Sequence, residues 1–166
     1  QTDEDIRYGL NQLETIYLPA SQKPEIKTDT EAQHLFIGQG KILVMDDEDF
    51  IREVANQMLS KMGCKVSVAK DGNEAIEIYR EAQQSNEPFD AVIMDLTVPG
   101  GMGGKEAIQK LKELDPNIKT FVSSGYSNDP IMSNFRDFGF EGVLKKPYRI
   151  QDMSEALRTV IKIQTE

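Results

Sequence analysis

Carboxylates follow two apolar segments of the chain. Asp46 and Asp47 come directly after ILVM (42–45), and Asp95 comes directly after AVIM (91–94). If these segments are neighbouring parallel strands, their carboxyl ends lie at one edge of a sheet and the three acids share a pocket. Like charges at close range are unfavourable without a cation, and Mg²⁺ binds carboxylates while leaving room for phosphate oxygens. The spacing therefore predicts a metal-assisted phosphoryl site.

Hydroxyl and ammonium groups follow two later apolar segments. TFVSSGY supplies Ser123 and Ser124, and VLKKPY supplies Lys145 and Lys146. A phosphoryl group on Asp95 would need a metal, an ammonium and a hydroxyl donor around its oxygens. Taken singly, such residues are commonly helix caps, turn residues or solvated surface charges. Their shared position at the ends of predicted strands favours the chemical interpretation.

Short apolar runs alternate with helical patterns from Lys41 onward. The predicted strands are KILVM (41–45), KVSVA (65–69), AVIM (91–94), TFVS (120–123) and GVLK (142–145). Apolar residues at helical spacing begin at Ile51, Ala75, Ala107, Ile131 and Met153. Five βα units with right-handed crossovers predict an α/β fold, a doubly wound parallel sheet with helices on both faces.

Glycine, proline and capping residues support these boundaries. Gly63 is placed where a helix C-cap is expected, and Asp71 with Glu74 forms a capping pair. Asp129 followed by Pro130 has the order of an N-cap and a first helical residue. Each predicted helix therefore has a start or a stop signal.

Composition restricts the class of protein. The 39% hydrophobic and 28% charged content is typical of a globular domain, and no apolar stretch approaches the ~20 residues that span a bilayer. A net charge of −9 argues against non-specific binding to nucleic acid or anionic lipid. The single cysteine, Cys64, cannot form an internal disulfide, and we expect it to be an inert thiol. Without an export signal the cytoplasm is the expected compartment, also for a membrane-anchored parent protein.

Residues 1–40 do not continue the βα pattern. PASQKPEIKTDTEAQ (19–33) is polar, contains two prolines and has no apolar period, which predicts a linker. His34, the only histidine, lies beside it without a second ligand, so we expect neither metal binding nor catalysis there. The glycines of PGGMGGKEA (99–107) do not form a P-loop, because Pro99 and Glu106 replace required residues.

Four motifs together carry a resemblance to a known family. They are VMDDE, MDLTVPGGMGG, SSGY and KKP, after the first, third, fourth and fifth strands. In combination they resemble the response-regulator receiver domain of two-component signalling, over Gly40 to Ile163. The resemblance implies strand order 2-1-3-4-5 with five helices. It also implies phosphorylation of Asp95 by a phosphohistidine on a histidine kinase or a histidine phosphotransfer domain.

The resemblance assigns the metal ligands and the phosphoryl partner. Asp47 and Asp95 would bind Mg²⁺ through their carboxylates and Thr97 through its backbone carbonyl, with Asp46 assisting through water. Lys146, next to the proline, would pair with the phosphoryl group in preference to Lys145. The Lys146–Pro147 bond is expected to be cis.

The switch is expected at the fourth strand. By the same resemblance Ser124 is the switch hydroxyl rather than Ser123, because it directly precedes the small residue of the motif. Many receivers have an aromatic residue in strand five that moves with this hydroxyl, but here Val143 occupies that place. We also hypothesise that Tyr126 and Thr97 limit water access to the acyl phosphate and lengthen its life. The surface around the fourth helix is the expected output, and a homodimer would form through it.

The N-terminal segment has a weaker resemblance of its own. ETIYLPAS (14–21) resembles the last strand of a histidine-kinase ATP-binding domain, which would make residues 1–40 an arm or linker and 41–166 a receiver in a hybrid sensor kinase. The chain has no histidine-box helix and no ATP-binding glycine boxes, so it is not a kinase by itself. A stand-alone regulator with an irregular N-terminal arm is the alternative.

Two other classes share parts of the pattern. A haloacid-dehalogenase phosphatase also uses an Asp nucleophile with Mg²⁺, but it needs a second Asp where this chain has Thr97. A flavodoxin-like FMN module has the same strand order, but three carboxylates would oppose an anionic phosphate. Both alternatives are weaker than the receiver interpretation.

Overall fold

One five-stranded parallel sheet organises the part of the chain that the computed structural model describes, residues 38–125 and 129–161. The strands are β1 (Lys41–Met45), β2 (Lys65–Ala69), β3 (Ala91–Asp95), β4 (Thr120–Ser124) and β5 (Gly142–Lys145). Their spatial order is β2-β1-β3-β4-β5, and every pairing is parallel. The predicted strand order and doubly wound architecture are confirmed.

In the part of the chain that the structure describes, five α-helices cover the sheet: α1 (Asp49–Lys61), α2 (Gly72–Gln84), α3 (Gly104–Leu114), α4 (Pro130–Ser133) and α5 (Ile150–Arg158). Asp71 caps α2 as predicted, because its Oδ1 accepts hydrogen bonds from the N–H groups of Asn73 and Glu74 at 2.9 and 3.0 Å. Gly63 follows α1 with φ +91°, the left-handed conformation that glycine adopts without strain. No described helix is long and apolar enough to cross a membrane.

The fourth helix is shorter than its sequence pattern predicts. The apolar spacing that starts at Ile131 predicts one continuous helix, but α4 has only four residues. Asn134 leaves the helical region with φ −118° and ψ 33°, and the chain continues as a 3₁₀ turn, Phe135–Phe138. Both short segments pack against the same apolar core, so the spacing reports a buried face rather than one helix.

Two apolar layers enclose the sheet. The layer on the α2, α3 and α4 side contains Leu43 and Val92, and the layer on the α1 and α5 side contains Val44 and Ile93. β3 and β4 are buried at every position, which explains why they appear in the sequence as uninterrupted apolar runs. The positions of these buried strands determine where the polar residues that follow them lie at the carboxyl edge of the sheet.

Candidate functional site

Asp46, Asp47 and Asp95 form a cluster at the carboxyl edge of the sheet. One carboxylate oxygen from each lies within 4.8 Å of the other two. The cluster forms because β1 and β3 pair in register, with Met45 opposite Met94, so the acids that follow them are neighbours. Asp46 is fully buried, Asp95 is 7% exposed and Asp47 is exposed. The predicted gathering of three carboxylates is therefore observed.

The ammonium group of Lys146 bridges two of these acids. Its Nζ lies 2.6 Å from Oδ2 of Asp46 and 2.8 Å from Oδ2 of Asp95. Burial alone would lower the pKa of Lys146, but the hydrogen bonds and charges of the two carboxylates outweigh burial and raise it. Lys146 is therefore a permanent cation at neutral pH. The Lys146–Pro147 bond is cis, as predicted.

The carboxyl group of Asp95 is harder to ionise than an ordinary aspartate. Burial raises its pKa, Lys146 acts in the opposite direction, and the negative charge of Asp46 raises it again. Three carboxylates face one ammonium, so the cluster keeps an excess of negative charge when all the acids are ionised. A divalent cation or a partner with cationic character would relieve this excess.

The turn after β1 is held by an arginine that the sequence analysis did not single out. Arg52 on α1 donates from Nη1 to the backbone carbonyl of Asp46 at 2.6 Å and forms an ion pair with Asp49. Asp46 also accepts from the N–H of Glu48 through Oδ1 at 3.1 Å. These contacts fix the direction in which Asp46 enters the cluster. An Arg five residues after the acid pair, in the first turn of the predicted helix, is the only sequence signal for this role.

An open cavity of about 540 Å³ lies above the cluster. Five of the predicted site residues line it: Asp47, Asp95, Thr97, Ser124 and Lys146. The N–H of Thr97 donates to Oδ1 of Asp95 at a long 3.5 Å, and Ser124 is 4% exposed at the end of β4. Asp46 is fully buried and does not itself line the cavity, although it contacts Lys146, which does.

Two other candidates, Ser123 and Lys145, do not line this cavity. Ser123 is fully buried, and its Oγ lies 2.8 Å from the hydroxyl of Tyr148, a residue that the sequence analysis did not single out. Lys145 is exposed and lines a different cavity, beside α5. Tyr126 and the predicted strand of residues 14–21 lie outside the described residues.

The donor set fits a hard divalent cation. Carboxylate oxygens and backbone carbonyls are the ligands that Mg²⁺ takes in proteins. Oδ2 of Asp46 is buried and lies 2.6 Å from the Lys146 ammonium, which neutralises only one of the three carboxylates. The remaining negative charge would be neutralised by a cation, so the chemistry of the cluster agrees with a Mg²⁺ site.

Comparison with known proteins agrees with the fold and the cluster. The family model of the response regulator receiver domain matches residues 42–158. The chemotaxis protein CheY of Thermotoga maritima is 32% identical over 123 residues, covering 74% of this chain and 98% of the relative. The sensor kinase CckA of Brucella abortus is 28% identical, but the match covers 76% of this chain and only 13% of the kinase.

Solved structures of receiver domains have the same fold as this chain. A response regulator receiver domain from Clostridium thermocellum superposes with a TM-score of 0.66 at 28% identity, covering 74% of this chain and 94% of that one. The receiver domain of a sensor histidine kinase from Pseudomonas aeruginosa PAO1, which holds magnesium in its active-site cleft, has a TM-score of 0.62 at 21% identity. That match covers 74% of this chain and 98% of the other. At 21% identity, the similarity to the Pseudomonas aeruginosa domain is evidence for the fold only.

The chain belongs to the response regulator receiver domain family. It is a phosphoacceptor domain of two-component signalling, as the sequence motifs predict. Receiver domains bind Mg²⁺ at an acidic pocket and interact with histidine kinases or phosphotransfer proteins, and this chain has the acidic pocket. The matching family gives the phosphatase alternative no support.

Proposed function

We propose that Asp95 is the residue that accepts the phosphoryl group. The observation that carries the proposal is its place at the base of the cavity, with Oδ2 2.8 Å from the Lys146 ammonium and with Ser124 and Asp47 on the same cavity wall. No other carboxylate among the described residues combines cavity access with contact to a buried ammonium. Asp46 contacts the same ammonium but has no exposed surface.

The chemistry is transfer from a phosphohistidine. A carboxylate oxygen of Asp95 forms the new P–O bond while the P–N bond to the donor histidine breaks and its electron pair returns to the imidazole. Lys146 neutralises charge on the phosphoryl oxygens, because its ammonium already lies beside the accepting carboxylate. Water later hydrolyses the acyl phosphate and restores the carboxylate.

Mg²⁺ would be held by Asp47 and Asp95 through their carboxylates and by Thr97 through its backbone carbonyl, with Asp46 assisting through water. When bound, the ion supplies positive charge to the transferring phosphoryl oxygens. The exposed position of Asp47 and the cavity-lining position of Thr97 support their assignment. Thr97 and Tyr126 are proposed to slow hydrolysis by limiting water access.

Ser124 is proposed as the switch hydroxyl. It lies at the end of β4, directly before the segment that leads to α4, so a movement toward the phosphoryl group would be transmitted to α4. Val143, where many receivers have an aromatic residue, is half-buried against the apolar layer beneath α4. We infer that output, and any homodimer, depends on the α4 surface without a moving aromatic ring.

The phosphodonor is proposed to be a histidine kinase or a histidine phosphotransfer domain. The match to a sensor kinase supports a parent protein of the hybrid kinase class, in which residues 1–40 link a kinase core to the receiver of residues 41–166. The cytoplasm is the proposed compartment, because the phosphodonor reaction depends on ATP-derived phosphohistidine.

Adduct formation tests this proposal. The chain is incubated with Mg²⁺ and either acetyl phosphate or beryllofluoride, and the product is analysed by intact mass and peptide mapping. We expect a single adduct on Asp95, none in Asp95→Asn, and strong impairment in Asp47→Asn. An adduct that persists in Asp95→Asn would refute the assignment, and continuous release of phosphate over many turnovers would indicate a phosphatase.

A further inference from the structure

A buried pair of hydroxyl groups lies beside the phosphoacceptor site. Oγ of Ser123 and the hydroxyl of Tyr148 are 2.8 Å apart, and both residues are removed from solvent. Burial raises the pKa of Tyr148 to about 12, so its hydroxyl keeps its proton at neutral pH. A tyrosine hydroxyl in an apolar layer needs a partner, and Ser123 provides it. The chemistry proposed above does not use either group.

The pair closes a ring of contacts around Asp95 and Lys146. The backbone carbonyl of Ser123 accepts a hydrogen bond from the N–H of Leu96 at 2.9 Å, directly after the phosphoacceptor. Its side chain reaches Tyr148, two residues after the lysine. The ring is completed by the 2.8 Å contact between Nζ of Lys146 and Oδ2 of Asp95. Ser123 therefore contacts both the segment after Asp95 and the turn after Lys146.

Lys146 has little other support from the sheet. It follows β5, a four-residue strand that, among the described residues, lies at the edge of the sheet and pairs only with β4. The ladder between β4 and β5 ends with Lys145 opposite Ser124, and one further backbone bond runs from the N–H of Lys146 to the carbonyl of Ser124 at 3.1 Å. The Tyr148 hydroxyl adds a side-chain hydrogen bond between β4 and the turn after Lys146.

We propose that Ser123 and Tyr148 are positioning residues that hold the Lys146 ammonium at the distance from Asp95 that phosphoryl transfer requires. The inference rests on the proposed function of Asp95 and Lys146. The hydroxyl pair anchors the turn after β5 to the strand that lies between β3 and β5. Loss of either hydroxyl leaves the other buried without a partner and lets the turn relax away from the acids.

Two single variants test the proposal. Tyr148→Phe removes only the hydroxyl, and Ser123→Ala removes its partner. We expect each to slow adduct formation with acetyl phosphate at saturating Mg²⁺ by about three- to ten-fold, the effect of one buried hydrogen bond. The double variant should be no slower than the worse single variant. Ser123→Thr keeps a hydroxyl in a strand and should restore most of the rate.

Tyr79→Phe is the matched control. Its buried hydroxyl donates to Oδ2 of Asp115 at 2.8 Å, and neither residue lines the cavity, so the variant loses a tyrosine hydrogen bond away from the site. Because the acceptor is a carboxylate, it should lower thermal stability at least as much as Tyr148→Phe and leave the rate of adduct formation unchanged. Equal rates in Tyr148→Phe and Tyr79→Phe would overturn the proposal.

The decisive measurement is coupling to the lysine. In a Lys146→Gln background, the affinity for beryllofluoride is measured with and without Tyr148→Phe. If Tyr148 acts through Lys146, the second substitution should have no further effect there, whereas an undiminished loss would refute a positioning role. The proposed function fails separately, because a wild-type chain that takes no adduct at all would refute Asp95 as the acceptor.

Discussion

The backbone after Asp95 passes close to Gly103, the residue directly before α3. A Cβ atom at this position would lie 2.5 Å from the carbonyl oxygen of Leu96 and 3.5 Å from the backbone nitrogen of Val98. Gly103 has φ −83° and ψ 176°, which any residue adopts, so its requirement for glycine is steric. Because the obstacle is backbone, it cannot rotate away as a side chain would. Gly103→Ala therefore forces the two segments apart.

The cost follows from this overlap. Introducing a methyl group that displaces packed backbone costs about 1–3 kcal/mol, and at this chain size each kcal/mol corresponds to roughly 4 °C in Tm. The displaced segment includes Leu96 and Thr97, whose N–H faces Oδ1 of Asp95. We therefore expect Gly103→Ala to lower Tm in a thermal scan followed by circular dichroism, and to weaken beryllofluoride binding in the same preparation.

Three matched variants separate the clash from other effects. Gly103 is also the N-cap of α3, where Ser is a better cap than Ala, so rescue by Gly103→Ser would refute the steric explanation. Gly100→Ala tests backbone strain alone, since φ is +74° and no heavy atom of the described residues beyond its chain neighbours lies within 4 Å of the added Cβ, and its cost should be about 1 kcal/mol. Gly125→Ala has no positive φ and meets none of the described residues beyond its chain neighbours within 4 Å, so it should leave Tm unchanged. A wild-type Tm for Gly103→Ala would contradict the reasoning outright.

Three further predictions concern acidic side chains: the proposed metal ligand Asp47, the proposed phosphoacceptor Asp95 and the α2 cap Asp71. Mg²⁺ at a hundred-fold excess over its Kd should stabilise the fold by about 2.7 kcal/mol, an effect that EDTA reverses and Asp47→Asn abolishes in calorimetry. Because the folded-state pKa of Asp95 is raised, ionising it destabilises the fold as pH rises through that pKa. In metal-free buffer Asp95→Asn should therefore raise Tm at neutral pH, with a difference that shrinks toward about pH 4; a constant difference would exclude titration as the cause. Asp71→Ala should cost about 1 kcal/mol in urea unfolding, because two N–H groups at the start of α2 lose their acceptor, and it should not change adduct formation.

The strands were predictable because the sheet is parallel. Its central strands are buried on both faces, so each appears as a short apolar run whose ends are the strand ends, and only β3 and β4 extend one residue beyond the predicted run. The segment from Ile131 was less predictable, because apolar spacing reports burial and not the hydrogen-bond pattern. Asn134 interrupts that segment through its own dihedral angles, which the spacing does not encode.

The acids of the site were predictable for a related reason. Parallel strands deliver their next residues to one edge, so the position of Asp95 after an apolar run already implies its neighbours. The hydroxyl pair was not predictable, because Ser123 and Tyr148 meet only when the turn after β5 is folded against β4. Arg52 was missed because its contact is with a backbone carbonyl, a target that every residue offers.

The negative charges of the acid cluster destabilise the fold, and the same charges are used in the proposed phosphoryl chemistry. Asp46 is fully buried, and it faces both the Asp95 carboxylate and a single ammonium, so the site keeps negative charge that a more stable arrangement would lack. Burial and this repulsion raise the pKa of Asp95 in the isolated chain, and a cation beside it would reverse that shift. A cation and a phosphoryl group would thus change the balance of forces at the ends of β1, β3 and β5 together. Since Ser123 and Ser124 join the ends of β3 and β5 through adjacent residues of β4, a change of charge at Asp95 can be converted there into a change of packing beneath α4.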